Sequence, residues 1–155
     1  MAINKSYWQH QGIIPATLKE KEKHLRYEII DMLRNTCRSF CNWNVLSLFE
    51  KNLLVESLAV HARILVDFFY FGRGNINDVI AQDFMPRGKN WKKIRPKITQ
   101  VLYDAKEKAN KQLAHLSTWR VKIEKDGKKP WDYNNICVDI ENVIAVFSSV
   151  VGKKF

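Results

Sequence analysis

The feature that most constrains the fold is the stretch of residues 45–71, which is apolar on nearly every side when wound as a helix. Its apolar residues follow helical spacing rather than the alternation of a strand; they are Leu53, Leu54, Leu58, Val60, Ile64, Leu65, Val66, Phe68 and Phe69. A helix of this kind needs other elements to cover it. We therefore predict a central helix with a kink near Lys51 and Asn52, ended by the glycines of residues 72–75.

A second helical pattern precedes this one. Thr17 and Glu20 have the spacing of a capping box, in which each side chain bonds the backbone N–H of the other. Apolar residues at helical intervals then predict a helix over residues 18–40, with a break at 42–44. Residues 1–16 are predicted to be extended.

Two more helices complete the predicted fold. One begins near Pro96, which suits a first helical turn, and ends near residues 120–122. The last is capped by Asn134 or Asn135. No stretch reads as a strand, and one helical turn is expected at 78–83. The prediction is one all-α domain over residues 1–155, an up-and-down bundle of four main helices.

The net charge of +10 lies in one stretch of the chain. Residues 85–130 contain 14 Lys or Arg and 4 Asp or Glu, whereas the other residues carry 12 of each sign. Two basic loops are predicted here, at 85–97 within this stretch and at 122–133 across its end. Such a concentration of cations indicates a surface for phosphates or for an acidic protein.

The cysteines and the chain start bear on location. Three cysteines, Cys37, Cys41 and Cys137, are too few for a disulfide framework and odd in number. They are expected to be reduced, with Cys37 and Cys41 in the core rather than on zinc, and no signal peptide is recognised. We predict a cytoplasmic protein with no membrane span, no metal and no cofactor.

Charged residues on the central helix form one polar stripe. Glu56, Arg63 and Asp67 fall within about 40° of one another on the helix. Buried charges persist only when paired, so one interpretation is a structural ion network, with Arg63 and Asp67 at i,i+4. The other is an anion pocket built on Arg63. His61, on the opposite side, is interpreted as a satisfied core residue.

The third helix carries a candidate base. His115 lies at the edge of its apolar face, with Lys111 one turn earlier and Lys108 nearby. A neutral imidazole among lysines could deprotonate a ribose hydroxyl while an ammonium holds the phosphate. A solvated edge is the alternative. Helical spacing places Arg120 close to the centre of the apolar face. We predict that it forms a salt bridge or a shared hydrogen-bond network with Asp67 or Glu56.

Two segments carry a resemblance to known proteins. Residues 61–69 (HARILVDFF) and 113–120 (LAHLSTWR) resemble a group of small, uncharacterised bacterial helical proteins. More loosely, the chain resembles the HEPN superfamily of helical bundles, which often act as metal-independent ribonucleases or nucleotide-binding modules. His115 matches the family's histidine, but Asn110 stands where its arginine is expected. The resemblance implies a catalytic set that would draw on His115, Lys111, Asn110, Arg63 and Arg120.

Three functions follow from these patterns. The first is a HEPN-like domain that binds RNA and cleaves it, with two protomers completing the site. The second is a binding module that holds single-stranded nucleic acid by charge and by stacking on nearby aromatic residues. The third is an adaptor for an acidic protein partner. The aromatic candidates are Trp91, Tyr103, Trp119, Trp131 and Tyr133, and the nucleic-acid-binding candidates are Lys92, Lys93, Arg95, Lys97, Lys108 and Lys111.

Overall fold

The computed structural model describes residues 16–72, 74, 75, 77–112 and 131–155, and this part of the chain is helical, with no strand. The all-α prediction is confirmed. Residues 18–45 are helical in four pieces: α1 (Leu18–Arg26), a π-helix (Tyr27–Arg34), α2 (Asn35–Ser39) and a 3₁₀-helix (Phe40–Val45). The later elements are α3 (Leu48–Tyr70), a 3₁₀-helix (Ala81–Phe84), α4 (Trp91–Ile94), α5 (Gln100–Gln112) and α6 (Tyr133–Val151).

The start of the first helical stretch is confirmed, its α-helical part ends at Ser39 close to the predicted end near residue 40, and the predicted break at 42–44 is wrong because a 3₁₀-helix runs through it. Thr17 Oγ1 accepts from the Glu20 N–H, and the Thr17 N–H donates to Glu20 Oε2 at 2.7 Å, which is the predicted capping box. The helix continues through the predicted break at 42–44. The backbone turns extended only at Leu46, one residue before Ser47 caps α3.

The helix α3 is buried on one face rather than on nearly every side. Leu58 and Leu65 are fully buried, but Ile64 is 40% exposed and Val60 is 41% exposed. Near its start Phe49 is 71% exposed. The helix also passes through residues 51 and 52 without interruption, where a kink was expected. Hydrophobicity around the whole circumference therefore overstated how much of this helix the rest of the chain covers.

The core is centred on Phe147 of α6, which has no exposed surface. The ring centroids of five aromatic residues lie 5.4–5.9 Å from its own, mostly in edge-to-face geometry. These residues are Phe68, Phe69, Phe84, Trp91 and Phe155. Because they come from four different parts of the chain, this one side chain ties α3, α4 and the C-terminus together.

The helix α6 has the length and the hydropathy of a membrane span. Central helices of bundles pass the same test, and here Ile140, Ile144 and Phe147 face the core. The composition of α6 alone is therefore weak support for a membrane location.

A disulfide joins Cys37 of α2 to Cys137 of α6, with a Cα–Cα distance of 6.1 Å. The expectation that the cysteines are reduced is therefore wrong for this pair, and the expected core position of Cys41 is wrong because Cys41 is a free, exposed thiol. The bridge closes a loop across a sequence separation of 100 residues, which in a chain-entropy account stabilises the fold by about 4–5 kcal/mol. A cytoplasmic location stays a prediction, and the disulfide weighs against it because reducing compartments disfavour such bridges.

The later helix ends differ from the predictions by a few residues. Thr99 Oγ1 accepts the hydrogen bond that begins α5, so this helix starts after Thr99 and not at Pro96. Asp132, rather than Asn134 or Asn135, caps α6. Thr99 and Asp132 both have short side chains with an oxygen acceptor and lie just before the first helical residue, and such residues are preferred at N-caps.

The loops also hold more structure than expected. The helical turn predicted at 78–83 is a 3₁₀-helix that begins three residues later, at Ala81. The predicted loop at 85–97 contains the short helix α4. Residues 1–15 and 113–130 lie outside the described part, so the extended N-terminus and most of the 122–133 loop stay predictions.

Candidate functional site

The basic segment, residues 85–97, contains six Lys or Arg and no Asp or Glu. It is anchored by Trp91, which is 3% exposed and donates from Nε1 to the carbonyl oxygen of Phe69 at 2.8 Å. Burying an indole with its N–H paired holds the short helix α4 firmly against the end of α3. Trp91 is therefore a core residue and not the stacking surface that the sequence suggested.

Arg95 also turns inward. Its Nη1 donates to the carbonyl oxygens of Phe69 and Tyr70 at 2.9 and 2.7 Å, and its guanidinium lies 5.1 Å from the centroid of the Tyr70 ring. A cation at the C-terminus of a helix satisfies free carbonyls and opposes the helix dipole. Arg95, predicted to contact nucleic acid, thus caps α3 instead.

The lysines of the basic segment point outward. Lys92, Lys93 and Lys97 are exposed, and within the described part of the chain no carboxylate lies within 4 Å of their ammonium groups. Beside them is a groove of about 380 Å³ between the end of α3 and α4, lined in part by Tyr70, Phe71 and Lys92. The segment thus presents unpaired cations next to a partly aromatic groove.

Tyr70 has an unusual environment in this groove. Its hydroxyl is buried, and none of the described residues hydrogen-bonds to it. Burial raises the pKa of Tyr70, against the lowering influence of Arg95. The phenol therefore stays protonated at neutral pH as a potential donor.

The residues of α5 that were assigned to catalysis or binding are only partly assembled. Lys108 is half-buried, with its Nζ 5.8 Å from the centroid of the Trp131 ring. Lys111 is exposed and lies 3.6 Å from Glu107 Oε2, one turn earlier, and Asn110 is half-buried beside it. His115 lies outside the described residues.

The charged stripe of α3 is at the surface. Arg63 Nε lies 3.9 Å from Asp67 Oδ2, and their side chains are 44% and 42% exposed. Lys106 of α5 lies 3.5 Å from Asp67 Oδ1 and 4.2 Å from the centroid of the Phe71 ring. The predicted partner Arg120 lies outside the described residues, and Glu56 is exposed. Asp67 therefore links α3 to α5 through Lys106, at the surface rather than in the core.

A buried carboxylate was missed in the sequence. Glu28, on the π-helix, is 6% exposed, and His61 Nδ1 donates to its Oε2 at 2.7 Å. His24 Nε2 lies 3.7 Å from the other carboxylate oxygen. His61 was expected to be a satisfied core residue, and Glu28 is the partner that satisfies it. The signal for Glu28 was its position between Leu25 and Ile29 on the apolar face.

No group of three His, Cys, Asp or Glu side chains able to hold a metal ion occurs among the described residues. Comparisons with protein-family models, with curated protein sequences and with solved structures found no match. The likeness to HEPN domains therefore stays a prediction from the sequence, and function has to be argued from the geometry above.

Proposed function

We propose that this protein binds single-stranded nucleic acid, with RNA as the expected ligand, through its basic segment. The observation that carries the proposal is a set of exposed lysines, Lys92, Lys93 and Lys97, which have no carboxylate partner among the described residues and lie on a turn anchored by Trp91. Lysines whose charge is not neutralised within the protein gain most from releasing the counterions of a phosphate backbone.

The groove beside these lysines supports a single-stranded ligand in particular. Single-strand binders combine a cationic track with aromatic surfaces on which bases stack. Here Phe71 is 37% exposed at the groove and Tyr103 is 45% exposed on α5, so both rings are accessible to bases. Lys108 and Lys111 extend the cationic surface along α5.

The HEPN-like, up-and-down arrangement and a ribonuclease activity belong to the same proposal. In that reaction His115 takes the proton of a ribose 2′-hydroxyl and the 2′-oxygen attacks phosphorus. The bond to the 5′-oxygen breaks, that oxygen takes a proton from water, and a 2′,3′-cyclic phosphate remains. Lys111 stabilises the charge on phosphorus, with Arg63 or Arg120 in support and a second protomer completing the site.

Binding is tested by fluorescence polarisation with a labelled single-stranded RNA over a series of salt concentrations. The variant Lys92→Glu/Lys93→Glu/Lys97→Glu removes the three contacts. Its matched control, Lys19→Glu/Lys23→Glu/Lys154→Glu, makes the same change of charge at exposed lysines elsewhere. Each phosphate contact contributes about −0.7 to the slope of log affinity against log salt concentration. Because the first variant loses three contacts, its slope should be less steep by about 2.

Several results would overturn the proposal. One is no RNA binding even at about 50 mM salt. Another is equal weakening by the control, which would reduce the effect to net charge. Binding of an acidic peptide in preference to RNA would favour the protein adaptor. Cleavage is measured separately from binding. His115→Ala should abolish the cyclic phosphate product and leave RNA affinity unchanged. If the native protein leaves the RNA intact, the ribonuclease activity is ruled out and the binding proposal remains.

A further inference from the structure

A second site lies where α1 and the π-helix face the C-terminal half of α3. A cavity of about 400 Å³ opens there, within the size range of small-molecule pockets. Its walls are mainly apolar. The apolar wall includes Leu25, Ile64, Leu65, Phe68, Phe71 and Val79.

Glu28 is the buried charge at this cavity. Its Oε2 accepts from His61, whereas among the described residues its Oε1 has only the long contact of 3.7 Å with the exposed ring of His24. A carboxylate oxygen has room for two hydrogen bonds, so Oε1 keeps acceptor capacity. Because Oε1 is not among the fully enclosed unpaired atoms of the described residues, a ligand donor in the cavity can reach it.

The backbone that carries Glu28 is also unusual. Residues Tyr27–Arg34 form a π-helix, which is much rarer than the α-helix. Such segments occur frequently at functional sites. The segment places Glu28 and Ile29 in the core together.

The other charges of the cavity select the sign of a ligand. Lys21 Nζ lies 3.3 Å from Asp83 Oδ2, so this cation is already paired. Asp67 and Asp78 also line the cavity, but Asp67 is likewise paired, with Arg63 and Lys106. An anion would meet the carboxylates of Glu28 and Asp78 and no unpaired lysine or arginine among the described lining residues, whereas a cation would meet an acceptor oxygen and two phenylalanine rings.

We propose that this cavity binds a small organic cation, an amine on an aromatic or aliphatic body, with its ammonium donating to Glu28 Oε1. The apolar body packs against Phe68 and Leu65, and the His61 ring holds the carboxylate in place from behind. This site is separate from the basic segment, and its ligand is of opposite charge to a nucleic acid.

The test uses three probes of one shape and different charge: tryptamine, its neutral alcohol analogue tryptophol, and indole-3-acetate. Isothermal titration calorimetry with the full chain should give a dissociation constant below about 1 mM for tryptamine and binding at least about tenfold weaker for the other two. Equal binding of all three, tighter binding of the acetate, or no tryptamine binding at that concentration would each overturn the proposal.

Two variants locate the site. Glu28→Gln keeps the shape and removes the charge, so it should weaken tryptamine by about tenfold or more and leave tryptophol unchanged. Ile64→Trp fills the mouth from an exposed position, and Val60→Trp is its control, since Val60 is equally exposed on the same helix but outside the lining. Ile64→Trp should abolish tryptamine binding, and Val60→Trp should not. Unchanged binding in Ile64→Trp would place the ligand elsewhere, even if Glu28→Gln failed to fold.

Discussion

The basic segment and the cavity are neighbours that treat charge in opposite ways. The groove beside the basic segment and the cavity are both lined by Phe68 and Phe71. On one side, Lys92 and Lys93 point to solvent without a partner among the described residues; on the other, Lys21 is paired with Asp83 and carboxylates dominate. The difference teaches that a net charge of +10 describes the long-range field of this molecule, while short contacts decide what each surface can bind.

The largest expected effect comes from the side chain that supports both regions. Phe147 packs against Phe68 of the cavity and Trp91 of the basic segment, and it is fully buried. Phe147→Ala should therefore lower the free energy of unfolding by about 3–5 kcal/mol, and RNA and tryptamine binding should weaken together. Urea denaturation followed by circular dichroism measures the loss.

The control for this substitution is Phe49→Ala, because Phe49 is 71% exposed. It should change stability by no more than about 0.5 kcal/mol. If Phe147→Ala cost as little as the control, or weakened one ligand and not the other, the two regions would not share a core.

Within the basic segment, a second comparison separates inward from outward cations. Arg95→Ala removes charged hydrogen bonds to the carbonyls of Phe69 and Tyr70 and should cost about 1.5–3 kcal/mol. Lys93→Ala should change the free energy of unfolding by no more than about 0.5 kcal/mol. It should also make the slope of log RNA affinity against log salt concentration less steep by about 0.7. Thermal denaturation and polarisation on both variants measure the difference. The reverse pattern, a stable Arg95→Ala that loses RNA affinity, would return Arg95 to the binding surface.

The sequence predicted the helices far better than the contacts between them. The capping box at Thr17 and the buried residues Leu58 and Leu65 depend on local spacing, and they were found. The pairing of Glu28 with His61 joins residues 33 apart, and the disulfide joins residues 100 apart. Such contacts depend on how helices pack, which spacing along one helix does not contain.

The misjudged residues share one physical cause. Arg95 and Trp91 lie in a run of lysines, and composition assigned them all to the surface. A folded turn needs an anchor, however, and these two residues supply it with an indole in the core and a cap on α3. In the same way, Ile64 and Val60 are apolar but remain exposed, because only one face of α3 meets other helices.

The smallest expected effect on binding concerns the start of α3, where substitutions should leave both binding regions unchanged. Ser47 and Glu50 form a capping box there, with the Ser47 N–H donating to Glu50 Oε2 at 2.8 Å. Ser47→Ala should cost about 1 kcal/mol at neutral pH, with RNA and tryptamine affinities unchanged.

The side-chain and backbone hydrogen bonds from Ser47 hold the pKa of Glu50 below its ordinary value of 4.5. A carboxylate with a lowered pKa in the folded state stabilises the fold above the unfolded pKa, and this contribution is lost as the pH falls. The stability of Glu50→Gln should therefore lie below that of the native chain at pH 7 and approach it as the pH falls below 4.5, in urea titrations at a series of pH values. A gap that stayed constant with pH would show that Glu50 acts through packing or helix propensity and not as a charged acceptor.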